Sequence, residues 1–265
     1  MEINKIYNEN CLDTMKKMES DFIDLTVTSP PYDNLRKYNG YSFNFEGIAK
    51  ELFRVTKNGG VIVWVVGDAT IKGSETGTSF KQALYFIQCG FNLHDTMIYK
   101  KNSCTYPANK KSVRYSQIFE YMFIFSKGKP KAINLITDKK NKWAGSSSFD
   151  GKIKSVPEYS PRNNIWEYTT SFNDRTGHPA VFPEKLATDH IISWSNEGDL
   201  VYDPFMGSGT TAKMALLNNR NYIGSEISSE YCEIIEKRIN SIALQIGLFA
   251  PSELFKKEME GSRVR

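Results

Sequence analysis

Leu200-Val201-Tyr202-Asp203-Pro204-Phe205-Met206-Gly207-Ser208-Gly209-Thr210-Thr211 decides how the rest of this chain is read. A short apolar run reaches an aspartate, breaks at a proline, turns through two glycines and continues with helical spacing from about Thr211. Glycine lets the backbone turn tightly and approach a ligand, and the first turn of the following helix leaves N–H groups free. A plain strand-to-helix connection also has this form. Two features favour a ligand. The turn stands at a strand end, where α/β sheets bind their ligands. Glu226 closes the next strand, 221–224, 17 residues beyond Gly209, a position suited to gripping a ribose diol. Gly209 is followed by Thr210-Thr211 and not by Lys-Ser/Thr, so this is no triphosphate loop, and a less charged nucleoside is the expected ligand.

Outward from that turn the chain alternates short β-branched runs with helical periodicity, the grammar of an α/β sheet. Residues 24–28, 92–99, 118–125 and 200–202 read as strands, and 61–66 is a continuous apolar run, the mark of a strand covered on both faces. Phe45, Ile48, Ala49, Leu52 and Phe53 fall at helical spacing before a stop at Lys57-Asn58-Gly59-Gly60. Phe80, Ala83, Leu84 and Ile87 form a second stripe, 184–194 a third helix, and Tyr231, Ile234, Ile235, Arg238, Ile239 and Ile242 a long last one. Residues 127–161 break the pattern. They are polar, contain Gly and Ser, and lack long apolar runs, which predicts one sheet domain (1–126 and 162–265) carrying a small insertion.

Thr28-Ser29-Pro30-Pro31-Tyr32 ends the strand 24–28. Two prolines fix the backbone, remove two N–H donors and leave carbonyls free. Ser-Pro-Pro can simply terminate a strand. The functional reading is a rigid pair of acceptors, the Ser29 hydroxyl and the Pro30 carbonyl, beside an aromatic platform at Tyr32. An amino group on a flat ring needs that arrangement.

Over 265 residues the net charge is only +4, and 40% hydrophobic with 13% aromatic residues is globular composition. The distribution says more than the total. Between Lys100 and Lys154 thirteen Lys/Arg face three acids, a surplus of +10, with Tyr106, Tyr115, Trp143 and Phe149 interleaved. A basic run is commonly a solvated face; in a loop-rich insertion with aromatics it also suits phosphate contacts and base stacking. The longest apolar run, 61–66, is far short of the roughly 20 residues that span a bilayer, and the start lacks the apolar stretch of a signal peptide. Cys11, Cys89, Cys104 and Cys232 are scattered, which predicts a reducing, cytoplasmic setting without a disulfide framework or cysteine zinc site. His94, His178 and His190 show no ligand spacing, so no metal is expected.

Taken together, the motifs resemble the S-adenosylmethionine-dependent DNA amino-methyltransferases of the circularly permuted β class, in which the S/D/N-P-P-Y/F motif comes early and D-P-F-x-G-S-G-T late. Further stretches match in order: Ile6-Tyr7-Asn8-Glu9-Asn10-Cys11-Leu12, Phe53-Arg54-Val55 with Lys57-Asn58-Gly59-Gly60-Val61, 120–127, Gly177-His178-Pro179-Ala180-Val181-Phe182-Pro183-Glu184-Lys185-Leu186, and Asn221-Tyr222-Ile223-Gly224-Ser225-Glu226-Ile227. The family usually has Gly-Asp where Glu9-Asn10 stands here. The resemblance implies a Rossmann-like α/β fold: a mostly parallel seven-stranded sheet with helices on both faces, circularly permuted, plus an inserted target-recognition segment. It implies S-adenosylmethionine as cofactor, bound by Asn10, Thr28, His178, Phe182, Asp203, Phe205, Gly207, Ser208, Gly209, Thr210 and Glu226. Ser29, Pro30, Pro31 and Tyr32 carry the catalytic role.

The implied reaction moves a methyl group to the exocyclic amine of a base in duplex DNA. Such an amine is conjugated with its ring, and acceptors that draw it toward tetrahedral geometry localise its lone pair. The base must leave the stack to reach the pocket. Serine at the first motif position is commoner in cytosine-N4 enzymes, with adenine-N6 as the alternative. Methylation at the cytosine ring carbon needs a nucleophilic cysteine, typically after proline, and no cysteine here follows one. DNA contacts are expected from Arg36, Lys37, Lys110, Lys111, Lys139, Lys140 and Lys142. The partner expectations are a homodimer and an endonuclease acting on the same site. An RNA or protein methyltransferase and a non-catalytic nucleic-acid-binding subunit are the readings from other classes.

Overall fold

The structure, a computed structural model, describes residues 1–31, 43–103, 109–149, 152–169, 182–245 and 247. In chain order its elements are β1 (Lys5–Tyr7), α1 (Cys11–Lys16), β2 (Ile23–Thr28), α2 (Phe45–Val55), β3 (Thr56–Val66), β4 (Thr70–Ile71), β5 (Ser74–Glu75), α3 (Thr78–Gln88), β6 (Asn92–Lys101) and β7 (Phe119–Ser126). There follow β8 (Lys139–Lys140), β9 (Gly145–Phe149), β10 (Lys152–Val156), β11 (Tyr159–Ser160), β12 (Ile165–Tyr168), α4 (Glu184–Trp194), β13 (Leu200–Asp203), α5 (Thr210–Leu217), β14 (Asn221–Ser225) and α6 (Ser229–Gln245). α2 stops at Val55, and Lys57 to Gly60 already belong to β3: Gly59 N–H and Gly60 C=O bond to the backbone of Lys127, which draws the turn into the sheet.

Among the described residues, eight strands form the main sheet in the order β1-β14-β13-β2-β3-β7-β6-β12. Only β7 runs antiparallel to its neighbours β3 and β6; the other adjacent pairs are parallel. Two strands from late in the sequence, β13 and β14, are thereby inserted between β1 and β2. The seven expected strands are joined by an eighth, β12, at the edge. Its four residues alternate outward Ile165 and Glu167 with buried Trp166 and Tyr168, too short a run for its period to stand out.

The continuous apolar run of β3 shows why helices cover both faces. Val61, Val63 and Val65 enter one core with Leu186 and Ile191 of α4, Ala212 of α5 and Ile235 of α6. Ile62, Trp64 and Val66 enter the other with Met15 of α1, Leu52 of α2 and Phe86 of α3. Side chains of a strand alternate faces, so a strand between two helix layers needs apolar residues at every position. Each such fully buried side chain stabilises the fold by about 1.5–3 kcal/mol relative to exposure.

Residues 127–138 run back along α4: Ala132 is buried, Asn134 N donates to Ser193 O (2.8 Å), and its amide group reaches Ser195 O (3.1 Å). Arg220 also donates to Ser195 O (2.7 Å), so the last carbonyls of α4, which lack helical partners, are bonded. Beyond residue 138 the chain projects as an arm of two small sheets, β8 with β11 and β9 with β10, neither laddered to the main sheet.

Candidate active site

Both motifs stand at the carboxyl end of the main sheet because their strands are neighbours, with Leu25 opposite Val201 and Thr26 opposite Tyr202. Thr28, the last residue of β2, donates through Oγ1 to Asp203 Oδ1 (2.6 Å). Phe205 N donates to the same oxygen (2.9 Å), and Thr211 Oγ1 donates to Oδ2 (2.8 Å). Asp203 is 5% exposed. Burial pushes its carboxyl up to about 6, and the donors from Thr28, Phe205 and Thr211 pull the other way. One buried carboxylate thus ties the Ser29-Pro30-Pro31 segment to the start of the glycine loop. Ser29 and Pro31 are half-buried, and Pro30 is buried.

Gly207 and Gly209 have φ of +54° and +84°. At Gly209 a side chain would also collide with α6, since a Cβ there would lie 2.8 Å from Ile235 Cγ2. Glycine is therefore required twice over, by conformation and by space. Gly207 N donates to Glu226 Oε2 (2.8 Å) and Ser228 N to Oε1 (2.9 Å). Burial raises the Glu226 carboxyl, opposed by those backbone donors. β1 abuts the same place: Asn8 Nδ2 donates to Glu226 O (2.8 Å) and Glu226 N to Tyr7 O (3.0 Å).

These groups suit a nucleoside of low negative charge. Each Glu226 oxygen holds one backbone N–H and has a lone pair left for a hydroxyl. Thr210 Oγ1, on a residue 3% exposed at the start of α5, has no hydrogen-bond partner among the described residues, and a buried hydroxyl demands one. The loop itself carries no lysine for a phosphate chain.

The loop is also held from outside. Arg238 of α6 donates through Nη1 to Ser208 O and Ser208 Oγ and through Nη2 to Glu184 Oε1 (3.0 Å), which also takes Lys213 Nζ (2.6 Å). Neither Arg238 nor Glu184 is evident as a site residue from motif reading. The signal lay in the α6 stripe, where Arg238 sits in register with five apolar or aromatic side chains. A charge in a buried register needs a partner.

Of the expected cofactor residues, Thr28, Asp203, Phe205, Gly207, Ser208, Gly209, Thr210 and Glu226 converge on this sheet edge. Asn10 lies beside it, but its side-chain oxygen accepts from Leu12 N (2.9 Å) as the N-cap of α1, and Glu9 pairs with Thr14 and Lys17. Phe182 is half-buried against the α4 core, and Phe205 packs edge-on to Phe43 and Trp64. Tyr32, Arg36, Lys37 and His178 lie outside the described residues. Lys110, Lys111, Lys139, Lys140 and Lys142 are exposed, and Lys139 Nζ donates to Asn163 Oδ1 (2.9 Å). Among the described residues no helix is long and apolar enough to cross a membrane.

Residues 23–237 match the family model described as DNA methylase. The chain is 58% identical over 263 residues to the orphan methyltransferase M.BamHII of Bacillus amyloliquefaciens, covering 92% of this chain and 94% of that protein. It is 28% identical to the type II methyltransferase M.MthZI of Methanothermobacter thermautotrophicus, over 89% of this chain and 76% of the other. Among solved structures it shares its fold with the PvuII DNA methyltransferase (cytosine-N4-specific), with a TM-score of 0.70, 24% identity, and coverage of 88% and 85% of the two chains. The M1.HpyAVI–SAM complex aligns with a TM-score of 0.63 at 24% identity, over 88% of this chain and 98% of that one.

Proposed function

The chain belongs to the DNA methylase family, and from that membership we propose that it transfers a methyl group from S-adenosylmethionine to N4 of a cytosine extruded from duplex DNA. The observation that carries the reading is the buried Thr28–Asp203 bond, which joins the Ser-Pro-Pro segment to the glycine loop at one sheet edge. S-adenosylmethionine, when bound, supplies an electrophilic methyl group on a sulfonium. Glu226 would accept from its ribose hydroxyls, while the backbone of Gly207 to Gly209 and the Thr210 hydroxyl would bound the rest of the nucleoside.

The chain's own residues do the remaining work by position. The Ser29 hydroxyl and the Pro30 carbonyl accept the two N–H bonds of the exocyclic amine and pull its lone pair out of conjugation. Because Pro30 and Pro31 cannot rotate about φ, these dipoles are aimed before the base arrives, and no reorganisation is required at the moment of reaction. Tyr32 stacks on the extruded base, offsetting part of the few kcal/mol that unstacking costs. Serine in place of a carboxylate, together with a fold neighbour named as cytosine-N4-specific, supports cytosine over adenine.

The insertion, 127–161, reads the target, with Lys110, Lys111, Lys139, Lys140, Lys142, Arg36 and Lys37 holding phosphates. The protein works in the cytoplasm on the nucleoid. M.MthZI is named a type II methyltransferase, which supports a place in restriction–modification; M.BamHII is named an orphan, which supports a methylase acting without an endonuclease partner. We favour the second, given the higher identity, with the homodimer to be read by sedimentation of the full chain. Mass spectrometry of nucleosides from duplex DNA incubated with the protein and S-adenosylmethionine tests the reaction. N4-methylcytosine is expected, N6-methyladenine would transfer the activity to the other amine, and no methylated nucleoside would overturn the proposal.

A further inference from the structure

The arm needs something to fix its direction. β8 and β11 pair over two residues each, and β9 with β10 forms an isolated two-stranded sheet. Hairpins of that size are marginal by themselves. Trp143, in the turn between β8 and β9, is 77% exposed, and Lys140 and Lys142 are exposed beside it. The arm's orientation must come from its root.

At that root one side chain meets both ends of the arm. Asp138 immediately precedes β8, and Arg162 follows β11 by two residues. Arg162 Nε lies 3.1 Å from both Asp138 oxygens, and Nη2 pairs with the same carboxylate. The other edge of the guanidinium faces the catalytic domain. Nη1 donates to Asp189 Oδ2 of α4 (2.8 Å) and to Tyr168 OH of β12 (3.2 Å). Tyr168 OH donates in turn to Asp189 Oδ2 (2.7 Å), and Lys185 Nζ to Asp189 Oδ1 (3.1 Å). The guanidinium carbon lies 5.1 Å from the Trp166 ring centroid, and Arg162 N donates to Ile136 O (2.9 Å). A planar fork with five donors makes this set of contacts at once; a lysine ammonium does not.

The helix that receives Arg162 is the one that braces the cofactor loop. Glu184, five residues before Asp189, takes Arg238 and Lys213 around Ser208. Arm and loop are therefore referenced to the same rigid element. We propose that Arg162, with Asp138 and Asp189, is a positioning residue that fixes the arm against α4 and so sets how narrowly the DNA sequence around the target base is read. The proposal rests on the reading of the arm as the DNA-contacting segment.

The experiment uses the full chain with S-adenosylmethionine on plasmid DNA, mapping methylated bases by sequencing and measuring the cofactor Kd in parallel. Arg162→Lys keeps the charge and loses the fork. Asp138→Asn frees only the arm side, on a residue half-exposed and remote from the core. Both variants are expected to methylate sites that differ from the wild-type consensus. Discrimination between the cognate duplex and duplexes with one substituted pair should fall by roughly tenfold, about one base pair's worth of recognition. Cofactor Kd should stay within about twofold, well under the tenfold that 1.4 kcal/mol represents. An unchanged consensus with unchanged kcat/KM in both variants would overturn the proposal, as would a parallel loss of cofactor affinity, which marks a general structural role. The arm reading is tested separately by Lys142→Glu: an unchanged KM for duplex DNA would refute that reading whatever the Arg162 variants do.

Discussion

Thr28 and Asp203, 175 residues apart in sequence, share a buried hydrogen bond of 2.6 Å, and through it the Ser-Pro-Pro segment and the glycine loop are one structure. Removing the hydroxyl with Thr28→Val leaves Asp203 one donor short in a buried place. Phe205 N still serves the same oxygen, so the loss is that of one hydrogen bond to a charged group, about 1.5–3 kcal/mol. Urea unfolding should show a loss of that size, with a weakened cofactor Kd, and Thr28→Ser should restore most of both. Wild-type stability and affinity in the Thr28→Val variant would show the bond to be incidental.

Asp203 carries a pH dependence of defined sign. Burial raises its carboxyl from 3.8 to about 6, so in the acid range the folded state holds its proton more tightly than the unfolded state. That contribution to stability is complete below about pH 4 and is lost as pH rises through about 6, a change of about 3 kcal/mol at about 1.4 kcal/mol per unit. In Asp203→Asn the oxygen still accepts from Thr28 and Phe205 N, while Thr211 can turn to donate to Val27 O (3.2 Å). The difference in unfolding free energy, wild type minus Asn, should decline between pH 4 and 6 and be flat above. A flat difference throughout would mean the group titrates normally.

Glu226→Gln replaces a two-oxygen acceptor by one oxygen and an amide NH2, which opposes either Gly207 N or Ser228 N and lacks the charge. Hydrogen bonds to charged groups are worth about 1.5–3 kcal/mol, so cofactor Kd should rise roughly 10- to 100-fold by calorimetry. At saturating cofactor, kcat should change far less, because the role proposed for Glu226, holding the ribose hydroxyls, acts on cofactor binding and not on the transferred methyl.

Arg238→Gln releases Ser208 and Glu184 together. Expected is a rise in the KM for S-adenosylmethionine of about tenfold, in line with loss of one or two charge-assisted bonds, with KM for DNA unchanged. Arg238→Lys, which can hold one partner, should fall between. Equal loss in both KM values would point to unfolding of α6.

Trp143→Ala and Lys142→Gln should raise KM for DNA and leave cofactor binding alone. For Lys142→Gln the salt dependence is the sharper readout: the slope of log K against log[salt] should shrink by about 1, one phosphate contact. An unchanged slope would remove Lys142 from the interface.

Some of this was legible in the sequence for physical reasons. The run 61–66 is apolar at every position because β3 has a helix layer on each face, so its burial could be read directly. The glycine loop could be read because Gly207 and Gly209 occupy conformations that other residues rarely adopt. What escaped was whatever depends on long-range contact. β12 gives only four residues of alternation. Asn10, expected at the cofactor, accepts from Leu12 N as the cap of α1, which leaves its oxygen a second lone pair for a ligand. Arg162 and Arg238 carry no motif, and their partners Asp138, Asp189, Glu184 and Ser208 become meaningful only once α4 and α6 are packed. The structure describes neither Tyr32 nor His178, whose roles stay with the proposal.

The placement of β13 and β14 between β1 and β2 has a consequence for how the protein is made. As the chain leaves the ribosome, β1 and β2 emerge first, but they are not neighbours in the finished sheet. β1 has no partner until β14 arrives, and one edge of β2 stays open until β13 does. For most of synthesis, then, the nascent chain displays unpaired strand edges, the surface most prone to sticking to other chains. In that interval the Thr28–Asp203 and Gly207–Glu226 bonds cannot form, because β13 and β14 bring the residues that complete them. Activity should therefore switch on only when residues 200–226 have cleared the exit tunnel, and a translation pause before that point should favour aggregation over a partly working enzyme.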